Sequence, residues 1–493
     1  MLHAKRISRR EFIQKSPPAL AAITAITAEG LPSARAWPAL DQTTPVPDNN
    51  AANSSLPSFT EFLQAGAVTK EAIDSSLRGR TRWKLDPVLG TVERDYEVPG
   101  GGIPLVPGGF HLPAGIDGSA IVVTIQPNGA RTAFMYRDKT PRINTYGDSF
   151  THCDQVNDGE TWQEYLAGHL REPIRNFGTG GHGVYQAYLR MLREEATEHA
   201  AKYLIFYIWG DDSYRTLMRG VQLHPGMAQA GKGVWTITKA AVEMDLKSGH
   251  IIEKPNLLPT EASMYQLTDA RWIVEHFKDD LALQLVLYGG YPSATERRAQ
   301  IRALDREKIS QLAACLNFTF DWSANSDLHA EARALLDRYA QRATLFILDK
   351  AREFASQNGK KLLIVLNDPY RALPQMIRGE PRYDQGLADY LVKEKMDYFD
   401  MNEVHLADFR ASHLSYEDYT KRYFVGGDGH YNPQGNHFFA YSIKGKVVDW
   451  LDPKPATYQH RASATKDSRD YLFNGRFGTP KPGHDSDGTQ SNR

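Results

Sequence analysis

Residues 203–212 read Tyr-Leu-Ile-Phe-Tyr-Ile-Trp-Gly-Asp-Asp, and the first seven decide the fold. An unbroken apolar run of this length, closed by glycine and charge, predicts a strand covered on both faces. The flanking chain keeps an alternating rhythm around it. Residues 143–147 read as a short strand, followed by a helix with Trp162, Tyr165, Leu166 and Leu170 on one face. Residues 174–177 read as a second strand, and Val184, Ala187, Tyr188, Met191 and Leu192 then recur at helical spacing. Further on come a helix over 345–357, strands over 362–366 and near 398–401, and a closing helix over 433–451. Strands alternating with helices predict a parallel sheet with helices on both faces, a three-layer α/β/α fold.

Two stretches break the rhythm. Residues 58–140 carry one apolar strand at 121–125 among many Gly and Pro turns, and are expected to form a β-rich preface. Residues 213–340 form a large insertion after the third strand, with a hairpin turned at Lys247-Ser248-Gly249 and helical segments beyond. It leaves the sheet beside the Gly-Asp-Asp, so it is placed to wall or lid whatever lies there. Trp235 and Tyr265 are expected to serve as its core. Residues 37–57 and 454–493 lack core material and read as linker and tail.

Composition narrows the function. Lys and Arg number 58 against 59 Asp and Glu, for a net charge of −1. No basic stripe suggests a nucleic-acid partner. No apolar run approaches the roughly 18 residues of a membrane helix, so no stable membrane anchor is expected. Ser8-Arg9-Arg10-Glu11-Phe12, the apolar stretch 19–28 and Ala34-Arg35-Ala36 resemble a twin-arginine export signal cleaved after residue 36. That implies the twin-arginine export machinery as partner and a periplasmic or secreted destination. The two cysteines, Cys153 and Cys315, make no disulfide framework, and their spacing leaves pairing open.

Chemistry gathers at the carboxyl ends of strands in sheets of this class, and four polar motifs fall there. They are Tyr146-Gly147-Asp148-Ser149-Phe150, the loop 176–183 (NFGTGGHG), Gly210-Asp211-Asp212, and Asp428-Gly429-His430-Tyr431-Asn432. A serine hydroxyl becomes a nucleophile when a neighbouring base takes its proton. Ser149 is placed for that attack, His430 for the base, and Asp428 for holding the imidazole tautomer. Taken singly, each motif is an ordinary polar turn; the ordered set is what points to chemistry. His152 and His182 flank the site without metal-ligand spacing, and read as polar loop residues or substrate contacts. Arg193-Glu194-Glu195 reads as a solvated helix face.

The four motifs together resemble the SGNH (GDSL-type) hydrolase family over residues 143–212 and 345–451. The resemblance implies the flavodoxin-like three-layer fold, no cofactor and no metal, and a serine esterase acting on an acyl ester of a small molecule or glycan. It makes Ser149 the nucleophile, His430 the general base and Asp428 its partner. The oxyanion hole would comprise the amides of Ser149 and Gly181, with the third motif supplying a further group. There the family carries an asparagine, and this chain has Asp211, or Gly210 if the register shifts by one. Losing an oxyanion donor typically costs ~10²–10³ in rate. Three readings of that departure stand: a protonated Asp211 that donates, a hole resting on two amides, or a site with a changed task. The changed task would be glycan binding without ester chemistry; separately, acyl transfer stays open, with a sugar hydroxyl replacing water at the second step according to the acceptor the insertion admits.

Overall fold

The computed structural model describes residues 55–78, 83–93, 121–220, 223, 238–291, 299–427 and 429–459. The export signal, most of the linker and tail, Trp235 and Asp428 lie outside those residues. The strands, in chain order, are β1 (Trp83–Asp86), β2 (Gly90–Glu93), β3 (Ile143–Tyr146), β4 (Ile174–Asn176), β5 (Tyr203–Trp209), β6 (Ala241–Asp245), β7 (His250–Lys254), β8 (Lys361–Asn367) and β9 (Tyr398–Asp400). Five of them form one sheet in the order β4-β3-β5-β8-β9, parallel throughout.

The alternation of side chains across a strand explains why 203–209 is apolar at every position. Leu204, Phe206 and Ile208 enter one core, with Ile364 and Leu366 of β8. Tyr203, Ile205, Tyr207 and Trp209 enter the other, with Leu363 and Val365. The first core lies under the helices Val184–Glu194, Leu281–Gly289 and Leu328–Gln357. The second lies under Trp162–Leu170, Met401–Ser412 and Pro433–Trp450. The fold is therefore three-layered α/β/α. The chain's path reverses at β3, whose neighbours β4 and β5 lie on opposite sides. The crevice beyond the carboxyl end of such a strand is where sheets of this class bind ligands, and Ser149 stands in it.

The preface and the insertion differ in detail from their sequence patterns. The preface holds the hairpin β1–β2 but also two helices, Phe59–Ala65 and Lys70–Arg78; the expected strand at 121–125 is reduced to a bridge between Ile125 and Arg131. The insertion contains the anticipated hairpin, with Asp245 opposite His250, and helices Glu261–Met264, Ala270–Phe277, Leu281–Gly289 and Arg306–Cys315. Its last part is no separate segment. The helix expected over 345–357 begins at Leu328 and runs unbroken to Gln357, because Leu335, Leu336, Tyr339, Ala340 and Ala343 extend its buried stripe.

One surface reading is corrected. Glu194 and Glu195 are buried, not solvated. The helix Val184–Glu194 ends above the sheet, where the Glu195 carboxylate accepts from Asn144 Nδ2 (2.6 Å), Tyr146 Oη (2.7 Å), Ala201 N (2.8 Å) and Lys360 Nζ (2.7 Å). Four donors make up for the hydration that a buried carboxylate loses.

Candidate active site

The nucleophile turn is built by capping. Asp148 accepts from Phe150 N at 2.9 Å and starts the one-turn helix Ser149–His152. A side chain on Gly147 would meet the Tyr207 carbonyl at 2.8 Å, so glycine lets β3 end tight against β5. The turn presents Ser149 Oγ to His430 Nε2 at 2.7 Å, and the imidazole leans on the Phe150 ring at 4.7 Å between centroids. Phe150 in turn stacks on Trp209, which ties the nucleophile turn to the end of β5.

The other imidazole nitrogen meets a residue that no sequence motif marked. Gln155 Oε1 lies 2.8 Å from His430 Nδ1 and also accepts from the His430 backbone N–H at 2.8 Å. The backbone N–H can only donate, so the Gln155 atom facing it is the carbonyl oxygen. It follows that Nδ1 carries a proton and donates to that oxygen, leaving Nε2 with a lone pair toward Ser149. This is the tautomer a general base requires. Asp428, expected in that orienting role, lies outside the described residues.

Gln155 adopts a left-handed backbone, φ +70°, and is held there by Arg131. The buried guanidinium donates to the carbonyls of His152 (2.8 Å), Cys153 (2.6 Å) and Val156 (2.7 Å), and to Asp158 Oδ1 (2.8 Å). All of these belong to the loop around Gln155. A Cβ on Gly429 would fall 2.7 Å from Gln155 Oε1, so the glycine before His430 makes room for the contact.

The second motif is rich in glycine because it is squeezed between the first and the third. A Cβ on Gly178 would land on the backbone of Thr151 and His152, and one on Gly183 would come within 2.6 Å of Thr216 N and 2.7 Å of Arg215 C. Thr179 N donates to the Gly147 carbonyl at 3.1 Å, and Asn176 Oδ1 accepts from Gly178 N at 2.9 Å. Gly181 takes φ +74°, which disfavours any side chain. Among the described residues, nothing accepts from the N–H of Ser149 or of Gly181. Hairpin β1–β2 backs this loop: Glu93 Oε1 accepts from Gly180 N at 3.3 Å and the Thr91 carbonyl from His182 Nε2 at 2.8 Å.

The third motif is ionic. Gly210 is a packing glycine, since a Cβ there would strike the Asp368 carboxylate. Asp211 Oδ2 accepts from Tyr291 Oη of the insertion at 3.2 Å and lies 3.8 Å from Arg215 Nη2. Asp212 is buried, accepting from Trp209 N at 2.9 Å and Arg215 Nη1 at 3.1 Å. Burial pushes the Asp148 carboxyl up to about 6 against the pull of Arg215, and drives Asp212 well above the ordinary carboxylate range, with Asp148 adding repulsion.

The remaining candidates have structural partners. His152 Nδ1 pairs with Asp154 Oδ1 at 2.7 Å, and burial holds His182 down to about 3. Among the described residues no group of three or more ligating side chains gathers around a common point. Cys153 and Cys315 are both free thiols, and burial pushes Cys153 up to about 12, which removes it as a nucleophile.

No family model matches this chain, and no curated protein does. A solved structure of a G-D-S-L family protein from Desulfitobacterium hafniense DCB-2 is similar over 63% of this chain and 100% of its own length. The identity is 10% and the TM-score 0.27.

Proposed function

We propose that this chain is a serine hydrolase of the SGNH type that cleaves an acyl ester through an acyl-Ser149 intermediate. The observation that carries the reading is the 2.7 Å contact between Ser149 Oγ and His430 Nε2, with the tautomer set by Gln155. Ser149 Oγ attacks the acyl carbon while its proton passes to His430 Nε2. The carbonyl oxygen becomes an oxyanion facing the N–H groups of Ser149 and Gly181. Collapse expels the alkoxide, which takes the proton from Nε2 and leaves as the alcohol. Water then attacks the acyl-serine with His430 again as base, and the carboxylic acid departs. Asp428 would support the imidazole. The substrate class follows from the resemblance and from the export signal: an ester borne by a carbohydrate or cell-envelope glycan outside the cytoplasm.

Two experiments test this. The protein from about residue 37 onward should hydrolyse p-nitrophenyl acetate and react with a fluorophosphonate at Ser149, and Ser149→Ala should do neither. Wild type no faster than Ser149→Ala would sink the reading. In cells, Arg9→Lys with Arg10→Lys should trap the protein in the cytoplasm; unchanged fractionation would remove the export assignment.

A further inference from the structure

On the serine-hydrolase reading, an oxyanion forms at Ser149 beside Asp148, which shares the Arg215 guanidinium with Asp211 and Asp212. Asp148 Oδ2 lies 3.3 Å from Ser149 Oγ. The same Oδ2 lies 3.4 Å from Arg215 Nη1, so the guanidinium is one carboxylate oxygen removed from the nucleophile. Arg215 also reaches Asp212 Oδ1 at 3.1 Å and Asp211 Oδ2 at 3.8 Å. A single buried guanidinium thus faces all three carboxyl groups. Its place is fixed from the backbone, by Lys239 Nζ donating to the Arg215 carbonyl at 2.6 Å and by the close approach of Gly183. Asp211 stands apart within this set. Asp148 and Asp212 each accept from a backbone N–H, whereas the Asp211 side chain caps none.

A carboxylate close to a developing negative charge raises the barrier unless a cation offsets it. We propose that Arg215 is a positioning residue of the site, whose guanidinium offsets the Asp211 and Asp148 carboxylates so that negative charge can develop at Ser149. It acts through the aspartates and need not touch the substrate. The inference rests on the serine-hydrolase reading, and its test separates the two.

The measurement is the rate of Ser149 phosphonylation by a fluorophosphonate, which does not depend on knowing the natural ester. The proteins are wild type, Asp211→Asn, Arg215→Met and the double variant. Arg215→Met should react about 10²-fold more slowly than wild type, and the double variant, read beside Asp211→Asn alone, should recover about 10-fold or more over Arg215→Met. Recovery is the decisive outcome, because removing the anion restores rate only if the guanidinium was offsetting it. A double variant as slow as Arg215→Met makes Arg215 a packing element and overturns the proposal; so does an Arg215→Met rate equal to wild type. Should Arg215→Met not fold, as judged by circular dichroism, Arg215→Gln with and without Asp211→Asn is read the same way. Wild type labelled no faster than Ser149→Ala would instead defeat the hydrolase reading itself.

Discussion

The two sides of the candidate site are organised by different physics. Around Ser149, His430 and Gln155, the contacts are hydrogen bonds of 2.7–2.8 Å, with Gln155 neutral and each proton's position settled by what its partner can accept. Around Asp148, Asp211, Asp212 and Arg215, one guanidinium faces three carboxyl groups at 3.1–3.8 Å. Hydrogen bonds at the first side depend on angle and tautomer, so small displacements should be costly there. Coulomb attraction at the second falls slowly with distance, so composition matters there more than exact placement. The contrast teaches that, on the serine-hydrolase reading, Gly210-Asp211-Asp212 should be judged as a balance of charges.

The first way to break the comparison is at the relay itself. Ser149→Ala should abolish fluorophosphonate labelling, and His430→Ala should slow it by about 10⁴-fold. Retention of most of the rate in His430→Ala would mean that another base serves Ser149. The next largest effect is on stability. Arg131→Met leaves Asp158 buried without its partner, and should destabilise the fold by about 3–5 kcal/mol in denaturant unfolding. A loss below 1 kcal/mol, on the order of a surface pair, would show that the clamp around Gln155 is ornamental.

Gln155 sharpens the comparison. Gln155→Leu removes the acceptor for Nδ1 and should slow labelling by about 10²-fold. Gln155→Glu keeps an acceptor but adds charge beside the imidazole, which favours the imidazolium. Its acid limb in a pH–rate profile should therefore move to higher pH. An unmoved limb would mean that the contact with Gln155 carries no electrostatic weight.

The smallest expected effect uses a buried carboxyl outside the site as reference. Asp280 caps the helix Leu281–Gly289 through Oδ1, which accepts from Leu283 N at 2.9 Å, and burial pushes it up to about 6. Its folded-state pKa lies above the ordinary carboxylate value of 3.8, so the native state binds the proton more tightly. That contribution is fully present below about pH 4 and is lost as pH rises through about 6. Asp280→Asn keeps a capping oxygen and should gain about 1–2 kcal/mol over wild type at pH 8, with little change at pH 4. Equal effects at the two pH values would contradict burial as the cause.

The sheet was legible because burial on both sides leaves a plain mark: no position from Tyr203 to Trp209 needs a polar residue. The glycines of the second motif were legible as a loop, although their purpose, close packing against Thr151, His152 and Arg215, was not. Motif order singled out Ser149 and His430, and the fold does bring them together. Gln155, Arg131 and Arg215 were invisible for a common reason. Each meets its decisive partner across a tertiary contact: Arg215 stands at helical spacing from Asp211 and Asp212, but only the fold brings it to Asp148. The start of the helix Leu328–Gln357 was missed because its first turns were read as part of the insertion. Glu195 was misread because a charge at a helix end is usually solvated, and only the sheet behind it shows otherwise.

Ser149 and His430 meet across 281 residues of chain, and on the serine-hydrolase reading that separation sets when the protein becomes reactive. At about 5–20 residues per second of synthesis, the serine emerges well before its base. On the serine-hydrolase reading, a growing chain carries an inert hydroxyl, and competence waits until the helix Pro433–Trp450 docks and brings the imidazole into place. Reactivity of Ser149 toward a fluorophosphonate is thus a timer for complete folding, and would distinguish finished molecules from truncated ones in a pulse-labelled sample.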